Sequence, residues 1–341
     1  MRLLFAGFGT VGQGLAELLL AKRDVLNQRY GFDWKVVGIA DTLKGSCYHA
    51  DGIDLAAALE MVAKGESLSS CKQGGCTLDA LAMIRQARAD VLLEATYTDI
   101  KTAEPATSHI RAALEHGMHV VTTNKGPLAL HYRELAELAR VKGVEFLFEG
   151  TVMSGTPLLN LVRETLAGAE IVEMQGILNG TTNYILTRME EGLSYQDALA
   201  KAQELGYAEA VPDADVLGWD ALAKVTILAN VVFGASLTPA ESPCDGITKI
   251  TAADIVKAKA EGKRYKLIGR VWREDGKVKA AVAPRLVEMT QPIAGVMGAT
   301  NAVAIRTDAL GEITIVGPGA GRAQTGFSML NDLLTIARRR S

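Results

Sequence analysis

Two residues of opposite charge, Asp220 and Lys224, lie one helical turn apart in the apolar stretch "DVLGWDALAKVTILANVVFG" (215–234). Apolar residues surround them on every side of the predicted helix, which indicates that the helix is buried. An exposed ion pair at this spacing would contribute only a few tenths of a kcal/mol. Burying both charges costs several kcal/mol each, and a chain tolerates that cost more readily where the charges take part in chemistry. The pair is therefore a candidate for catalysis.

An acidic loop leads directly into this helix. Glu209, Asp213 and Asp215 precede Asp220 in "ELGYAEAVPDADVLGWD". Acidic loops are usually solvated, but this one is continuous with the helix that carries the charged pair. We therefore expect its carboxylates to line the same cleft as Asp220.

A second candidate site is a glycine-rich turn between the first predicted strand and the first predicted helix. It has the sequence "GFGTVG" and consists of Gly7, Phe8, Gly9, Thr10, Val11 and Gly12. Glycines at this spacing permit a tight turn and let backbone N–H groups approach a pyrophosphate at a helix N-terminus. Asp41, at the end of the next predicted strand, is placed to accept a hydrogen bond from a ribose hydroxyl. The sequence thus predicts a dinucleotide cofactor: Asp41 favours NAD, whereas the nearby Lys44 could receive the 2′-phosphate of NADP.

Two further segments follow predicted strands. "TTNKGPLAL" places Lys125 just beyond the carboxyl end of a strand, where doubly wound sheets bind ligands, although a solvated loop lysine is an equal alternative. "FEGTVMSGTP" contains Glu149 among small residues whose carbonyl groups could turn inward. Hard cations prefer such oxygen ligands, but a tight turn explains this composition equally well.

The elements that must position these residues form two patterns. Residues 1–150 alternate strands with helices, which is typical of parallel βαβ units; the predicted strands are "RLLFAGF", "WKVVGIAD", "DVLLEAT", "HVVTTN" and "VEFLFEG". The region 44–75 reads as irregular around a short helix near 55–63. Beyond residue 150 the pattern changes to predicted helices in "GTPLLNLVRETL" and at about 194–204 and 218–233, a strand in "AEIVEMQGIL", and a later hairpin that turns at Asp275-Gly276.

We therefore predict an α/β fold. A Rossmann-type dinucleotide-binding domain spans 1–150 and is completed by a C-terminal helix at about 317–341. An α+β catalytic and dimerisation domain spans 151–316. The amphipathic tail "GFSMLNDLLTIARRR" ends in arginines that suit the negative end of a helix.

Charge and composition narrow the classes of partner. The chain has 341 residues and a formal net charge of −3, which gives no reason to expect nucleic acid or a membrane surface as partner. Its longest apolar run, within 225–237, is too short to span a bilayer. The opening "MRLLFAGFG" breaks at glycines and reads as a first strand rather than a secretion signal. The cysteines show no zinc or redox spacing and fit reduced thiols in a cytoplasmic protein; they are Cys47, Cys71, Cys76 and Cys244.

Taken together, these motifs resemble the homoserine dehydrogenase family along nearly the whole chain. The residues that match its signature are Ala202, Gly206, Pro212, Asp215, Gly218, Asp220 and Lys224. One departure is Val211, where the family usually has Asp, Asn or Ser. "TTNKGPLA" resembles the family's Asn-Lys loop, "LNGTTNYI" (178–185) its substrate-domain signature, and "GPGAG" (317–321) its late glycine turn. By length, we expect neither a fused aspartate kinase nor a C-terminal regulatory domain.

The resemblance implies an activity. Homoserine dehydrogenases interconvert L-aspartate 4-semialdehyde and L-homoserine with NAD or NADP, in threonine, methionine and isoleucine biosynthesis. By the same resemblance Lys224 donates the proton and Lys125 assists, while Asp220, Asp215 and Glu209 hold the substrate. The implied cofactor-binding residues, besides the glycine-rich turn and Asp41, are Thr96, Lys125 and Gly321.

The resemblance also implies a cation and an assembly. Glu149, with the carbonyls of Val152, Ser154 and Thr156, matches the family's sodium site. Apolar strands such as "EIVEMQGIL" suggest a homodimer formed by paired sheets, as in the family.

Two alternatives stay open at this point. The chain could be a related amino-acid or semialdehyde dehydrogenase on the same scaffold. However, an aldehyde-oxidising enzyme would need a nucleophilic cysteine, and none of the four cysteines lies in a suitable turn. It could also be a sensor that binds NAD(P) without catalysis, although a sensor has no reason to bury the Asp220–Lys224 pair.

Overall fold

The computed structural model describes residues 1–340. Contacts divide the chain into two compact units, Met1–Gly155 together with the segment that begins at Gly321, and Thr156–Ala320. Each unit contains one β-sheet, and each is described by itself below.

Residues 1–340 contain twelve strands and fourteen α-helices. The strands are β1 (Arg2–Ala6), β2 (Lys35–Asp41), β3 (Gly45–Tyr48), β4 (Gly75–Cys76), β5 (Val91–Glu94), β6 (His119–Thr122), β7 (Phe146–Leu147), β8 (Ile171–Ile177), β9 (Lys263–Glu274), β10 (Lys277–Glu288), β11 (Thr300–Thr307) and β12 (Gly311–Pro318). The helices are α1 (Thr10–Ala21), α2 (Arg23–Tyr30), α3 (Leu55–Ala63), α4 (Ala80–Gln86), α5 (Ala106–Glu115), α6 (Lys125–Leu130), α7 (Tyr132–Lys142), α8 (Gly150–Met153), α9 (Gly180–Glu190), α10 (Tyr195–Glu204), α11 (Asp213–Val216), α12 (Trp219–Val231), α13 (Ala252–Ala260) and α14 (Arg322–Arg340).

The sheet of the first unit has the strand order β4-β3-β2-β1-β5-β6-β7. The neighbouring pairs β2–β1, β1–β5, β5–β6 and β6–β7 are parallel. On the other side of β2, the pairs β2–β3 and β3–β4 are antiparallel. Strands β1, β2 and β5 are near-continuous apolar runs because helices cover both faces of a parallel sheet. The predicted parallel α/β unit is confirmed.

Helix α14 packs against α1 within the first unit. A β-carbon added at Gly14 would lie 2.4 Å from Arg322 O, and one added at Gly326 would lie 2.6 Å from Leu15 N. The two helices therefore approach so closely that only glycine fits at the crossing. Arg322 pairs with Glu17 at 2.6 Å, and α14 contributes apolar side chains to the core, namely Met329, Leu330, Leu333, Leu334 and Ile336.

The sheet of the second unit has the strand order β10-β9-β8-β11-β12 and is antiparallel throughout. The hairpin between β9 and β10 turns at Asp275 (φ 52°) and Gly276 (φ 73°), where the sequence predicts it. Two positive φ angles in succession are those of the type I′ turn that matches strand twist. Helices α9 and α12 pack against this sheet, and they carry the charged cluster described below.

Several local predictions were wrong. The region 44–75 contains β3 and β4, which are too short and too polar to show an apolar pattern. The sequence predicts one helix from Val11 to about Leu26, but the helix is interrupted at Lys22, and α2 then runs to Tyr30 with Gly31 (φ 60°) as its C-cap. In the segment predicted as a helix from Pro157, helical structure begins only at 159, and Leu161–Thr165 forms a π-helical turn.

No helix among residues 1–340 combines the length and the apolar character needed to cross a membrane.

Candidate active site

Lys224 lies near the middle of α12, and its side chain is only 9% exposed. Its Nζ donates to Asp220 Oδ2 at 2.8 Å and to the carbonyl oxygen of Leu178 at 2.7 Å. The side chain of Asp220 is 18% exposed. This ion pair is therefore largely buried, and the alternative of a solvated pair does not hold.

The break between α11 and α12 brings the two aspartates together. Gly218 lies between these helices with φ 85°, a left-handed conformation that L side chains rarely adopt. A β-carbon there would also approach Cys244 Sγ to 3.1 Å. The turn at Gly218 ends one helix and starts the next, so that Asp215 on α11 and Asp220 on α12 both face the start of α9.

Asn179 joins the two carboxylates as a hydrogen-bond donor to both, a role that no local sequence pattern indicates. Its Nδ2 donates to Asp215 Oδ1 at 2.6 Å and to Asp220 Oδ2 at 3.1 Å. Its Oδ1 accepts from the backbone N–H and the hydroxyl of Thr182, which makes Asn179 the N-cap of α9. The cap fixes which amide atom faces which partner, so Asn179 is held as a donor to both acids.

Burial and neighbouring charges both act on the ionisation of Asp215. Burial raises the pKa of the Asp215 carboxyl, the negative charge of Asp220 raises it further, and the hydrogen bond from Asn179 together with the Lys224 ammonium opposes the shift. Two carboxylates thus share one ammonium and one amide.

Glu209 does not belong to this cluster. It is exposed in the loop after α10, where its backbone carbonyl accepts from Gln203 Nε2 at 3.0 Å. In residues 1–340 its carboxylate takes no part in the hydrogen bonds around Lys224. The same loop is tied to α9 by Thr181, whose hydroxyl donates to Tyr207 O at 2.5 Å.

The glycine-rich turn of the first unit has the geometry that a dinucleotide requires. Gly7 adopts φ 88°, and a β-carbon there would lie 2.5 Å from Ala95 O. One at Gly12 would lie 2.7 Å from Gly7 O, whereas one at Gly9 would meet no protein atom within 4 Å. Gly7 and Gly12 are therefore needed for internal packing, and Gly9 faces open space at the N-terminus of α1. These roles match the three glycines of a pyrophosphate-binding turn, with Thr10 and Val11 forming the first residues of the helix.

Asp41 lies at the end of β2, next to this turn. Its Oδ2 accepts from Phe8 N–H at 2.7 Å, and its Oδ1 accepts from the N–H groups of Leu43 and Lys44, each at 2.9 Å. The carboxylate is thus fixed beside the glycine-rich turn, where a ribose would lie.

The matches to known proteins identify the family of this chain. The family model described as "Homoserine dehydrogenase, NAD binding domain" matches residues 7–149, and the homoserine dehydrogenase model matches residues 157–334. An NAD(+)-dependent homoserine dehydrogenase of Pseudomonas canavaninivorans is 45% identical over 98% of this chain and 96% of its own length. The chain belongs to the homoserine dehydrogenase family.

Two further relatives support this assignment. The homoserine dehydrogenase of Methanocaldococcus jannaschii is 41% identical over 98% of both chains. A hyperthermophilic archaeal homoserine dehydrogenase solved in complex with NADPH has a TM-score of 0.84 and 30% identity, over 99% of this chain and 98% of that one. An NAD(P)-dependent oxidoreductase is thus indicated, and these matches do not favour a related dehydrogenase or a non-catalytic sensor.

The segments after β5 and β6 carry two further predicted cofactor residues, Thr96 and Lys125. Glu94, fully buried at the end of β5, accepts from the N–H and the hydroxyl of Thr96 and from the hydroxyl of Thr122. Burial raises the pKa of this carboxyl, and these hydrogen bonds oppose the shift. Asn124 donates to Thr96 O and caps α6, whose first residue is Lys125. Glu94 was missed because a lone acid in an apolar strand carries no motif.

Gly321 is the remaining predicted cofactor residue, and the contacts of the next residue, Arg322, indicate where it lies. Arg322 Nη2 donates to Gln13 Oε1 at 3.1 Å, and the N–H of Gln13 bonds to Gly9 O at 3.0 Å. Gly321 itself adopts φ 136° and directly precedes α14. The residue next to Gly321 is therefore tied to the first turn of α1.

The predicted sodium ligands follow β7. Glu149 is 3% exposed, and its N–H donates to Asp332 Oδ2 at 3.0 Å. Val152 lies in the short helix α8, and Ser154 adopts φ 52°, a left-handed conformation unusual for serine. Thr156 begins the second unit, where its hydroxyl donates to Pro318 O at 3.0 Å. In residues 1–340 no group of three His, Cys, Asp or Glu side chains could hold a metal, so any ion here would depend on carbonyl oxygens.

Proposed function

We propose that this chain catalyses the NAD-dependent interconversion of L-homoserine and L-aspartate 4-semialdehyde. The observation that carries the proposal is the buried cluster of Lys224, Asp220, Asn179 and Asp215 in a chain of this family. This function would also place the chain in the cytoplasm, and it would belong to the biosynthesis of threonine, methionine and isoleucine.

We assign the proton transfer to Lys224. In the reduction of the aldehyde the Lys224 ammonium gives a proton to the substrate oxygen. In the oxidation of homoserine the neutral amine, which has first released its proton to solvent, takes the proton of the substrate hydroxyl. Asp220 and the Leu178 carbonyl orient Nζ through the two hydrogen bonds at 2.8 and 2.7 Å. When bound, a nicotinamide cofactor supplies the hydride acceptor or donor.

Asp220 and Asp215 are proposed to bind the α-ammonium group of the substrate. The cluster has two carboxylates for one lysine, and a substrate ammonium would balance the second charge. This would also remove the repulsion between the acids that contributes to the raised pKa of Asp215. Glu209 and Lys125 keep the roles that the family resemblance implies, as substrate ligand and assisting cation, and these roles stay predictions.

NAD is the proposed preferred cofactor. The Asp41 carboxylate, held by Phe8, Leu43 and Lys44, would accept ribose hydroxyls and would repel a 2′-phosphate. The relative named NAD(+)-dependent is 45% identical, which supports the same preference. Thr96, Lys125 and Gly321 are proposed to complete the site.

A monovalent cation, sodium or potassium, is proposed at Glu149 and the carbonyls of Val152, Ser154 and Thr156. The support is the burial of the Glu149 carboxylate and the left-handed turn at Ser154. When bound, such an ion would neutralise the buried carboxylate and brace this turn.

A homodimer is also proposed. Strand β8, which contains most of "EIVEMQGIL", pairs with β9 and β11 on its two edges, so a partner could meet β8 itself only through a face of the sheet. Val316 on β12 is 52% exposed and would become buried there. Sedimentation equilibrium tests this, and a monomer at assay concentrations would contradict it.

The direct test of the function is a spectrophotometric assay. Purified chain is mixed with homoserine and either NAD⁺ or NADP⁺, and absorbance of the reduced cofactor is followed. We expect activity with both cofactors and a higher kcat/KM with NAD⁺. Absence of homoserine-dependent reduction would refute the function, and a higher kcat/KM with NADP⁺ would refute only the cofactor preference.

A further inference from the structure

A second buried lysine, Lys266, lies in β9 of the same unit and is 1% exposed. Its Nζ donates to Asn183 Oδ1 at 2.9 Å and to Val296 O at 2.5 Å, and lies 3.6 Å from Met297 Sδ. All three partners are neutral. Burial, reinforced by Arg264 and opposed by the charge of Glu190, lowers the pKa of Lys266 to about 8. A buried ammonium without a carboxylate partner is costly, so an apolar residue would serve a purely structural core better.

Asn183 connects Lys266 to the segment 296–300, which ends at the first residue of β11. Its Nδ2 donates to the carbonyls of Val296, Gly298 and Thr300 at 3.1, 2.8 and 3.2 Å. One turn further along α9, the Thr187 hydroxyl accepts from Gly298 N–H at 3.0 Å. Lys266, Asn183 and Thr187 thus hold this segment against one side of α9.

The same segment supports the first turn of α9. A β-carbon at Gly180 would lie 2.6 Å from Ala299 O, so the helix start rests directly on the segment. Asn183 N–H bonds to Asn179 O at 3.3 Å, one helical turn back. Asn179 in turn holds Asp215 and Asp220.

The start of α9 also contacts the lysine assigned to proton transfer, because Lys224 donates to Leu178 O, one residue before the cap. A shift of this helix terminus would therefore move an acceptor of Lys224 and the donor shared by both aspartates. Displacements of about 1 Å in an active site can cost about 100-fold in rate.

We propose that Lys266 is a positioning residue for the homoserine site, which acts through Asn183 and the segment 296–300 on the capped start of α9. This inference rests on the proposed function. Lys266 does not touch the reacting atoms. It fixes where Asn179, and through it Asp215 and Asp220, meet the substrate.

The test compares Lys266→Met, which keeps the length of the side chain but removes the charge, with Ile305→Ala, a truncation of a buried apolar residue in β11. For each variant we would measure melting temperature, the dissociation constant of NAD⁺ by calorimetry, and kcat and KM for homoserine well below the melting temperature. Lys266→Met should lower kcat/KM for homoserine by roughly 10–100-fold and leave NAD⁺ binding unchanged. Ile305→Ala should lower the melting temperature without this loss.

A double mutant separates positioning from general loss of stability. Asn183→Leu removes the residue that links Lys266 to the segment 296–300. If both residues act through this one link, the double mutant should lose no more kcat/KM than the less active of the two single variants. Normal kcat/KM in Lys266→Met, or losses that multiply in the double mutant, would overturn the inference while the parent enzyme stays active. A parent without homoserine-dependent activity would instead refute the proposed function, and this inference with it.

Discussion

Replacing Lys224 should remove most turnover while the fold survives. The side chain makes two hydrogen bonds, to Asp220 and to Leu178 O, and is 9% exposed. Lys224→Ala deletes the proposed proton donor, and general acid–base groups contribute typically about 10²–10⁴-fold in rate. Turnover should fall by at least that range. Binding of NAD⁺ should be unaffected, since the glycine-rich turn belongs to the other compact unit.

The same substitution should also lower stability. Breaking a fully buried ion pair costs roughly 3–5 kcal/mol. Asp220, however, is 18% exposed and keeps its hydrogen bond from Asn179. We therefore expect a smaller loss, about 1–3 kcal/mol, from the unpaired acceptors. Lys224→Met retains the aliphatic stem and should be more stable than Lys224→Ala but equally inactive.

The assay measures homoserine-dependent NAD⁺ reduction and the melting temperature side by side for both variants. Lys201→Met, which removes an exposed lysine from α10, is the matched control and should behave as the parent. If Lys224→Met folds normally and oxidises homoserine within a few-fold of the parent, Lys224 is structural and the assigned chemistry is wrong.

Four further predictions concern other residues. Gly9→Ala should leave the melting temperature nearly unchanged and weaken NAD⁺ binding. Gly7→Ala should lower the melting temperature, because Gly7 has a positive φ and an added β-carbon would clash with Ala95 O. Equal effects of the two substitutions on stability would contradict this. Asp41→Asn should reduce kcat/KM for NAD⁺ by roughly tenfold or more, and an unchanged NAD⁺/NADP⁺ ratio would argue against its role. Glu149→Gln should abolish any activation by sodium or potassium, measured by titration of each salt against a choline background. Burial raises the pKa of Asp215, so its ionisation destabilises the fold as pH rises from the unfolded pKa, about 4, to the higher folded pKa. Asp215→Asn should therefore raise the melting temperature at neutral pH, with a gain that fades as pH falls from the folded pKa and is lost at about pH 4, while homoserine affinity falls.

Much of the fold could be predicted because its elements have strong local patterns. The parallel strands are continuous apolar runs, the β9–β10 hairpin has an Asp-Gly turn, and Gly7, Gly9 and Gly12 stand between a strand and a helix. Strands β3 and β4 lack such a pattern, because segments of 4 and 2 residues are too short to show one. The burial of the Asp220–Lys224 pair was also predictable, since every side of α12 is apolar.

The remaining site residues depend on contacts between distant parts of the chain. Asn179 is 36 residues from Asp215 and 41 residues from Asp220, and no local pattern reports such a bond. Lys266 is one of several basic residues at the start of β9, and only the structure shows that its ammonium is buried. Glu209 is exposed in its loop, and its role as a substrate ligand stays a prediction, because loop composition does not fix the direction of a side chain.

The cluster around Lys224 is proposed to serve the removal of hydride from the hydroxyl-bearing carbon of homoserine. Homoserine deuterated at that carbon, incubated with unlabelled NAD⁺ and followed by mass spectrometry of both products, tests this proposal. We expect one deuterium in the reduced cofactor and one retained in aspartate 4-semialdehyde, with Lys224→Met forming neither product. Reduced cofactor without deuterium, or labelled products formed at the parental rate by Lys224→Met, would contradict it.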